Sequence, residues 1–262
     1  MQARQFNREQ YFNEQSYTTL KYVIPYITEL MPINVETKVA EIGCGEGGNL
    51  KPFLDLGCKV VGIDLSAWKI SEGEKLFENH PLKQNITLIA KNIYDITESP
   101  ELKFDLIVMR DTLEHIPNQE KFMEHLKIFL KPNGKVFFAF PPWRMPFGGH
   151  QQMCKNKFLS NVPYFHILPK PLYTVVLKLF GESQGAVDGL NEIKDTRISM
   201  QKFHKIVKRL NYRIEKQTSY LINPNYEIKF KLKTRKLPAI LNIPYVRDFF
   251  ITTLYSIVSI KK

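Results

Sequence analysis

Lys38-Val39-Ala40-Glu41-Ile42-Gly43-Cys44-Gly45-Glu46-Gly47-Gly48-Asn49-Leu50 is the stretch that decides the fold of this chain. A short apolar strand stops at an acid, turns through glycines and opens a helix carrying Leu50, Phe53 and Leu54 inward. Glycines at 43, 45 and 47 let the backbone turn tightly and come close to a ligand, because no Cβ stands in the way. Amides at the start of the following helix then face that ligand, so the stretch predicts a nucleotide-type cofactor site.

The pattern recurs downstream. Lys59–Asp64 is a second apolar strand ending in an acid, and Ser66 suits the N-cap of a helix reaching to about His80. Further strands are expected at Ile86–Ala90, Phe104–Met109 and Lys135–Phe140, with a helix at Gln119–Leu130 stopped by Lys131-Pro132-Asn133-Gly134. Alternating strands and helices at this spacing predict a parallel, doubly wound sheet, and near-continuous apolar strands fit burial on both faces. Ligands of such sheets sit outside the carboxyl ends of the strands, which gathers Glu41, Asp64, Asn92, Arg110 and Pro141 on one edge.

On either side of this core the pattern changes. Residues 7–31 read as a helix broken or kinked at Pro25. After Pro142 the rhythm stops: residues 143–197 hold Trp143, Phe147, Phe158, Tyr164, Phe165 and Tyr173 among four prolines. A helix is expected at Ser199–Leu210, then two strands, Tyr212–Ile222 and Tyr226–Thr234, around Asn223-Pro224-Asn225. Tyr245–Lys262 reads as a final amphipathic helix with Val246, Phe249, Phe250, Leu254, Ile257 and Val258 on one side.

Composition narrows the class. At 262 residues the chain can bury one full core, with or without an elaborated insertion. Cys44, Cys58 and Cys154 lack CxxC spacing, so neither a zinc site nor a disulfide framework is indicated, and a reducing, cytoplasmic compartment fits. The first residues form no apolar secretory core, and no apolar run reaches the ~18 residues of a membrane span. The net charge of +11 arises entirely in residues 201–262, where 14 Lys and Arg face only Glu215, Glu227 and Asp248. A localised positive face suits a phospholipid surface, a phosphorylated substrate or nucleic acid, or serves solubility alone.

The glycines leave the cofactor open. Gly43, Gly45 and Gly48 also satisfy the dinucleotide fingerprint, and an acid such as Asp64 binds ribose hydroxyls in either case. The surrounding residues discriminate. Glu41 stands two residues before the first glycine, and four segments follow in order: Val61-Gly62-Ile63-Asp64-Leu65-Ser66, Phe104-Asp105-Leu106-Ile107-Val108, Leu113-Glu114-His115-Ile116 and Leu130-Lys131-Pro132-Asn133-Gly134-Lys135. Over residues 37–142 the chain resembles class I S-adenosylmethionine-dependent methyltransferases, and within them the ubiquinone-biosynthesis-like O-methyltransferase branch. Asn133 departs mildly from that family's usual glycine.

The resemblance implies a Rossmann-like, doubly wound, seven-stranded α/β sheet, mostly parallel with an antiparallel last strand, and an inserted lid after the fifth strand. Its domains would be an N-terminal helical cap (1–34), a core (35–142 and 198–236), the lid and substrate segment (143–197) and a C-terminal amphipathic helix (237–262). The implied cofactor is S-adenosyl-L-methionine. Glu41 with Gly43, Cys44, Gly45 and Gly47 would hold its methionine moiety, and Asp64 its ribose hydroxyls. Leu65 and Ile93 would pack near the adenine, Asn92 would bond the adenine amine, and Arg110 and His115 would line the methionine end. Glu114 and His115 equally suit a structural role, tying the fourth strand to its helix.

Methyl transfer from a sulfonium is an in-line displacement, in which the protein supplies orientation and, for a hydroxyl acceptor, a base. No metal is required. The candidate catalytic residues are His150, next to Gly148-Gly149 and so expected to swing over the methyl, and His115; His166 is a further candidate base. The expected activity is transfer to a small-molecule, glycan or lipid-linked acceptor, at oxygen. Alternatives are an RNA methyltransferase drawing on the basic C-terminal face and a non-catalytic binding protein that keeps the cofactor fold. Against nucleic acid, Pro141-Pro142-Trp143 follows the fifth strand, whereas base-N methyltransferases carry a comparable motif after the fourth. The final helix is expected to pack on the sheet or a second subunit rather than lie on a membrane as a peripheral anchor. The oligomeric state is left open.

Overall fold

The computed structural model describes residues 7–261. Arg8–Thr18 forms helix α1, which passes through a wide π-turn at Thr19–Val23 into α2 (Ile24–Thr28). The turn absorbs the break expected at Pro25, whose ring nitrogen cannot donate within a helix. The alternating core follows as β1 (Lys38–Ile42), α3 (Lys51–Asp55), β2 (Lys59–Asp64), α4 (Ala67–Leu76), β3 (Ile86–Ala90), β4 (Phe104–Arg110), α5 (Gln119–Leu126) and β5 (Leu130–Phe140). Ser66 caps α4 as predicted, its side chain accepting from the Lys69 amide at 3.3 Å.

Beyond β5 come three helices, α6 (Lys157–Asn161), α7 (Lys170–Leu179) and α8 (Gln184–Thr196), in the segment expected to form a lid. Then follow α9 (Met200–Arg209), β6 (Tyr212–Ile222), α10 (Asn225–Phe230), the two-residue β7 (Arg235–Lys236) and β8 (Thr253–Ile260). The sheet order is β3-β2-β1-β4-β5-β8-β6-β7. The first five strands are parallel, and β8 runs antiparallel between β5 and β6. This is the expected doubly wound α/β sheet with an antiparallel last strand, although it has eight strands rather than seven; β7 is the extra one.

Along β5 the side chains alternate between two cores. Val136, Phe138 and Phe140 join the face covered by α5 and α9, while Phe137 and Ala139 join the face covered by α1 to α4. A third, smaller core of Leu159, Phe165, Tyr173, Leu177, Val187 and Leu190 lies within the lid segment.

Two sequence expectations fail at the C-terminus. The helix predicted over Tyr245–Lys262 is instead a loop leading into β8, whose residues from Thr253 to Ser259 are all buried; Lys262 lies outside the described residues. A strand paired on both edges and covered on both faces carries apolar residues on both faces, so its pattern passes for one side of a helix. The packing and the membrane contact expected of that segment were both argued for a helix, and the segment is a strand. The strand predicted over Tyr226–Thr234 is also wrong: Asn225–Phe230 is the helix α10. It docks on α1, where Glu227 accepts from Tyr17 at 2.8 Å and pairs with Lys21 and Tyr22. Among the described residues no helix is long and apolar enough to cross a membrane.

Candidate active site

β1, β2 and β4 end side by side, and the glycine loop turns over their carboxyl ends. Gly43, Gly45 and Gly47 all take positive φ, so the loop needs residues without a side-chain penalty there. At Gly43 a Cβ would also fall 2.5 Å from the Thr112 methyl. Asp64 organises this loop. Its Oδ2 accepts from the Gly45 amide at 2.9 Å, and its Oδ1 from the Ser66 amide at 2.8 Å. Each oxygen keeps a second lone pair, so a ribose hydroxyl can still be accepted. The Cys44 thiol, by contrast, turns into the core: a Cβ on Gly62 would meet its Sγ at 2.8 Å, so Cys44 offers the loop only its backbone.

Behind the loop lies a buried polar chain. Glu41 Oε1 accepts from the Asn49 amide nitrogen at 2.6 Å, and Asn49 Oδ1 accepts from Arg110 Nη1 at 2.6 Å. The same Arg110 nitrogen donates to Thr19 Oγ1 at 3.2 Å and to the Gln15 carbonyl at 3.3 Å. Arg110 therefore straps α1 and the π-turn onto the glycine loop, and it does not line the cavity described below. Glu41 Oε2 is buried without a partner, and burial pushes the Glu41 carboxyl up to about 8. The cap fits closely. A Cβ on Gly48 would meet the Phe12 carbonyl and Gln15 Oε1 at 2.7 Å, and Arg8 pairs with Glu46 at 2.8 Å while lying over Trp68.

Asn92 and Ile93 follow β3 next to Asp64, where the Lys91 amide donates to the Asp64 carbonyl at 3.0 Å. Ile93 is buried, Leu65 is exposed, and the Asn92 carbonyl oxygen caps the next turn by accepting from the Tyr94 amide at 3.1 Å.

A cavity of about 310 Å³ opens beside this edge, with Tyr11, Asp111, Glu114, His115, His150 and Tyr226 among its walls. The His115 and His150 rings lie 5.0 Å apart, centre to centre. Burial, with His115 and His166 nearby, pushes the His150 imidazole down to about 4, so the ring is neutral at pH 7. Glu114 is buried and its Oε2 has no partner; burial beside Asp111 holds its carboxyl well above the usual range. The structural role considered for Glu114 belongs to its backbone, whose carbonyl accepts from Thr196 Oγ1 at 2.5 Å.

The two glycines before His150 sit in close quarters. A Cβ on Gly148 would lie 2.2 Å from the Trp143 carbonyl oxygen, and one on Gly149 would lie 2.3 Å from His166 Cβ. They permit tight packing, and His150 takes φ 55°. His166 is no base: fully buried, its Nε2 donates to the Trp143 carbonyl at 2.8 Å and its Nδ1 accepts from Gln151 at 3.2 Å. The structure thus brings together His115 and His150 in one cavity, and Glu41, the glycines and Asp64 at one loop. Arg110 bonds Asn49, Thr19 and Gln15, and the Cys44 thiol lies against Gly62. Sequence reasoning missed Asp111 and Tyr226 as cavity walls; the strand expected over Tyr226–Thr234 hid the helix presenting Tyr226.

These residues fit S-adenosylmethionine. The orphaned, buried Glu41 oxygen suits its ammonium, and Gly43, Gly45 and Gly47 take the positive φ that lets the loop turn closely. A methyltransferase-domain family model matches residues 12–163. An uncharacterised protein of Rickettsia prowazekii is 37% identical over 124 residues, covering 44% of this chain and 49% of that protein. The ubiquinone biosynthesis O-methyltransferase of Paraburkholderia phymatum is 34% identical over 104 residues, 39% of this chain and 43% of the relative. The chain thus spans less than half the length of these curated relatives. Among solved structures, the geranyl diphosphate C-methyltransferase of Streptomyces coelicolor, seen with Mg2+, geranyl diphosphate and S-adenosyl-L-homocysteine, superposes at a TM-score of 0.57. That likeness covers 90% of this chain and 78% of the other at 12% identity, so it speaks for the fold alone. With more than half of its length matched by the family model and its strands wound in this order, the chain belongs to the methyltransferase-domain family, as a class I S-adenosylmethionine-dependent member.

Proposed function

We propose that this protein transfers the methyl group of S-adenosylmethionine to a hydroxyl of a small-molecule, glycan or lipid-linked acceptor held in the cavity of about 310 Å³. The observation that carries this reading is the meeting of two sites at one sheet edge. The glycine loop with Asp64 and Glu41 adjoins a cavity where His150 presents a neutral imidazole. When bound, the cofactor supplies an electrophilic methyl on sulfur. Glu41 would face its ammonium and Asp64 its ribose, while Leu65, Ile93 and Asn92 would frame the adenine. His150 and His115 act on the acceptor oxygen, drawing off its proton so that an oxygen lone pair can attack in line. The segment 143–197 forms the lid over the acceptor, and α1 closes the cofactor side.

Two measurements test this reading. Calorimetry is expected to show binding of S-adenosylhomocysteine and none of NAD; binding of NAD alone would sink it. A screen with labelled S-adenosylmethionine against phenols, glycans, lipids and RNA is expected to label a hydroxyl-bearing small molecule or lipid. Labelling of RNA alone would shift the assignment to the basic face that includes Lys231, Lys233 and Lys236.

A further inference from the structure

Between α10 and β8 the chain carries Lys229, Lys231, Lys233, Arg235, Lys236 and Arg247, and no acid from Ile228 to Arg247. We propose that this stretch docks on an anionic phospholipid surface, its aliphatic side chains entering the headgroup layer and its cations meeting lipid phosphates. The acids at either end leave the positive charge standing. Glu227 is taken up by Lys21, Tyr17 and Tyr22. Asp248 is fully buried and accepts from the Met200 amide at 3.2 Å.

Apolar exposure accompanies the charge. Leu232, Ile240, Ile243, Tyr245 and Val246 are all exposed, Ile240 to 82%. Apolar side chains exposed singly are ordinary, whereas a run of them on one loop marks a surface with a partner. The loop is ordered by its own turns. The Leu241 amide donates to the Pro238 carbonyl at 3.0 Å, and the Arg247 amide to the Ile243 carbonyl at 2.9 Å. The Arg247 guanidinium closes the same turn on Asn242 Oδ1 at 3.0 Å. Its backbone groups are thus paired locally while the aliphatic side chains stay outside.

Lipid is the occupant that fits both features. Acyl chains accept the aliphatic tips, and anionic headgroups attract the lysines. Nucleic acid would meet the cations and leave Ile240 and Ile243 wet, because bases stack on aromatic rings. A second copy would cover the aliphatic tips but bring the same cations against these. The placement gives docking a use. The cavity walls include Lys229, Phe230 and Thr252, at the two ends of the stretch. Tyr164, in the segment 143–197, donates to the Phe249 carbonyl at 2.9 Å beside it. On the reading that this cavity holds the acceptor, a docked protein would receive a lipid-borne acceptor without its release into water.

Flotation of the full chain with phosphatidylcholine vesicles, with and without about one third phosphatidylglycerol, is the test. Binding is expected to the anionic vesicles alone and is lost as salt rises. Lys231→Gln with Lys233→Gln is expected to weaken it about 25-fold, roughly fivefold for each cation. Ile240→Ser with Ile243→Ser is expected to weaken it at least about tenfold. All four side chains are exposed, and unchanged S-adenosylhomocysteine affinity reports that the fold is kept. No flotation with anionic vesicles overturns the proposal, as does flotation that the isoleucine changes leave intact. RNA retained on a filter without flotation overturns it in favour of nucleic acid. Dimers that the isoleucine changes dissolve, without flotation, overturn it in favour of a second copy. Flotation of a protein that transfers no methyl group supports the docking and sinks the transferase reading; transfer by a protein that never floats does the opposite.

Discussion

Asp64 shows how one side chain can serve both architecture and ligand. Its two oxygens hold the Gly45 and Ser66 amides, so removing it loosens the loop and deletes the proposed ribose contact together. Asp64→Ala is expected to weaken S-adenosylhomocysteine binding by at least about 2 kcal/mol, roughly 30-fold, by calorimetry. Gly43→Ala is expected to destabilise the fold by more than about 1 kcal/mol in urea titration, because φ is +74° and Thr112 fills the space. Glu41 makes a prediction about pH. Its folded carboxyl is raised to about 8, well above an unfolded glutamate's, so the folded state holds the extra proton between those values. The resulting stabilisation is full below the unfolded pKa and is lost as pH rises through about 8. A bound ammonium favours the carboxylate, so cofactor affinity should rise with pH toward 8, with proton release seen as a buffer-dependent binding enthalpy. Affinity that falls over that range would remove Glu41 from the ammonium site.

Among the elements, α10 and β8 departed furthest from simple pattern reading, while α1 was read as a helix but not its tie to the loop. The sequence shows that residues 7–31 are helical, but only the folded chain reveals that Arg110 ties this helix to Asn49 across the cofactor loop. Arg110→Met keeps the bulk and removes the donors. It is expected to raise amide exchange in α1 and to weaken cofactor binding without altering the sheet. β8 misled for a physical reason: Leu254, Ile257 and Val258 lie on both faces of the sheet, so no alternation marks them. Ile257 is fully buried, and Ile257→Ala is expected to cost about 2–5 kcal/mol with an unchanged urea m-value. An exposed amphipathic helix would tolerate the change.

Across the whole molecule, the order of strands places the chemistry. β8 joins β5 to β6, so deleting residues 251–262 would open the sheet along both seams. Cooperative unfolding should disappear in that deletion; a stable, cofactor-binding remnant would contradict the observed register. The lid segment is likewise integral, with its own apolar core and the buried Lys194 donating to the His166 and Leu168 carbonyls at 2.5 and 2.6 Å.

What the sequence determined by itself was the cofactor half. The glycine loop, the acids ending β1 and β2 and the ordered motifs are local, because strand, turn and helix lie within a few residues of one another. Their chemistry could therefore be read in a line. The acceptor half was decided by tertiary structure. His150, Glu114, Tyr11 and Tyr226 come from four separate parts of the chain and meet only because α1, α10 and the lid fold over one sheet edge. Burial, which leaves His150 neutral and two polar atoms without partners, exists only once they have met.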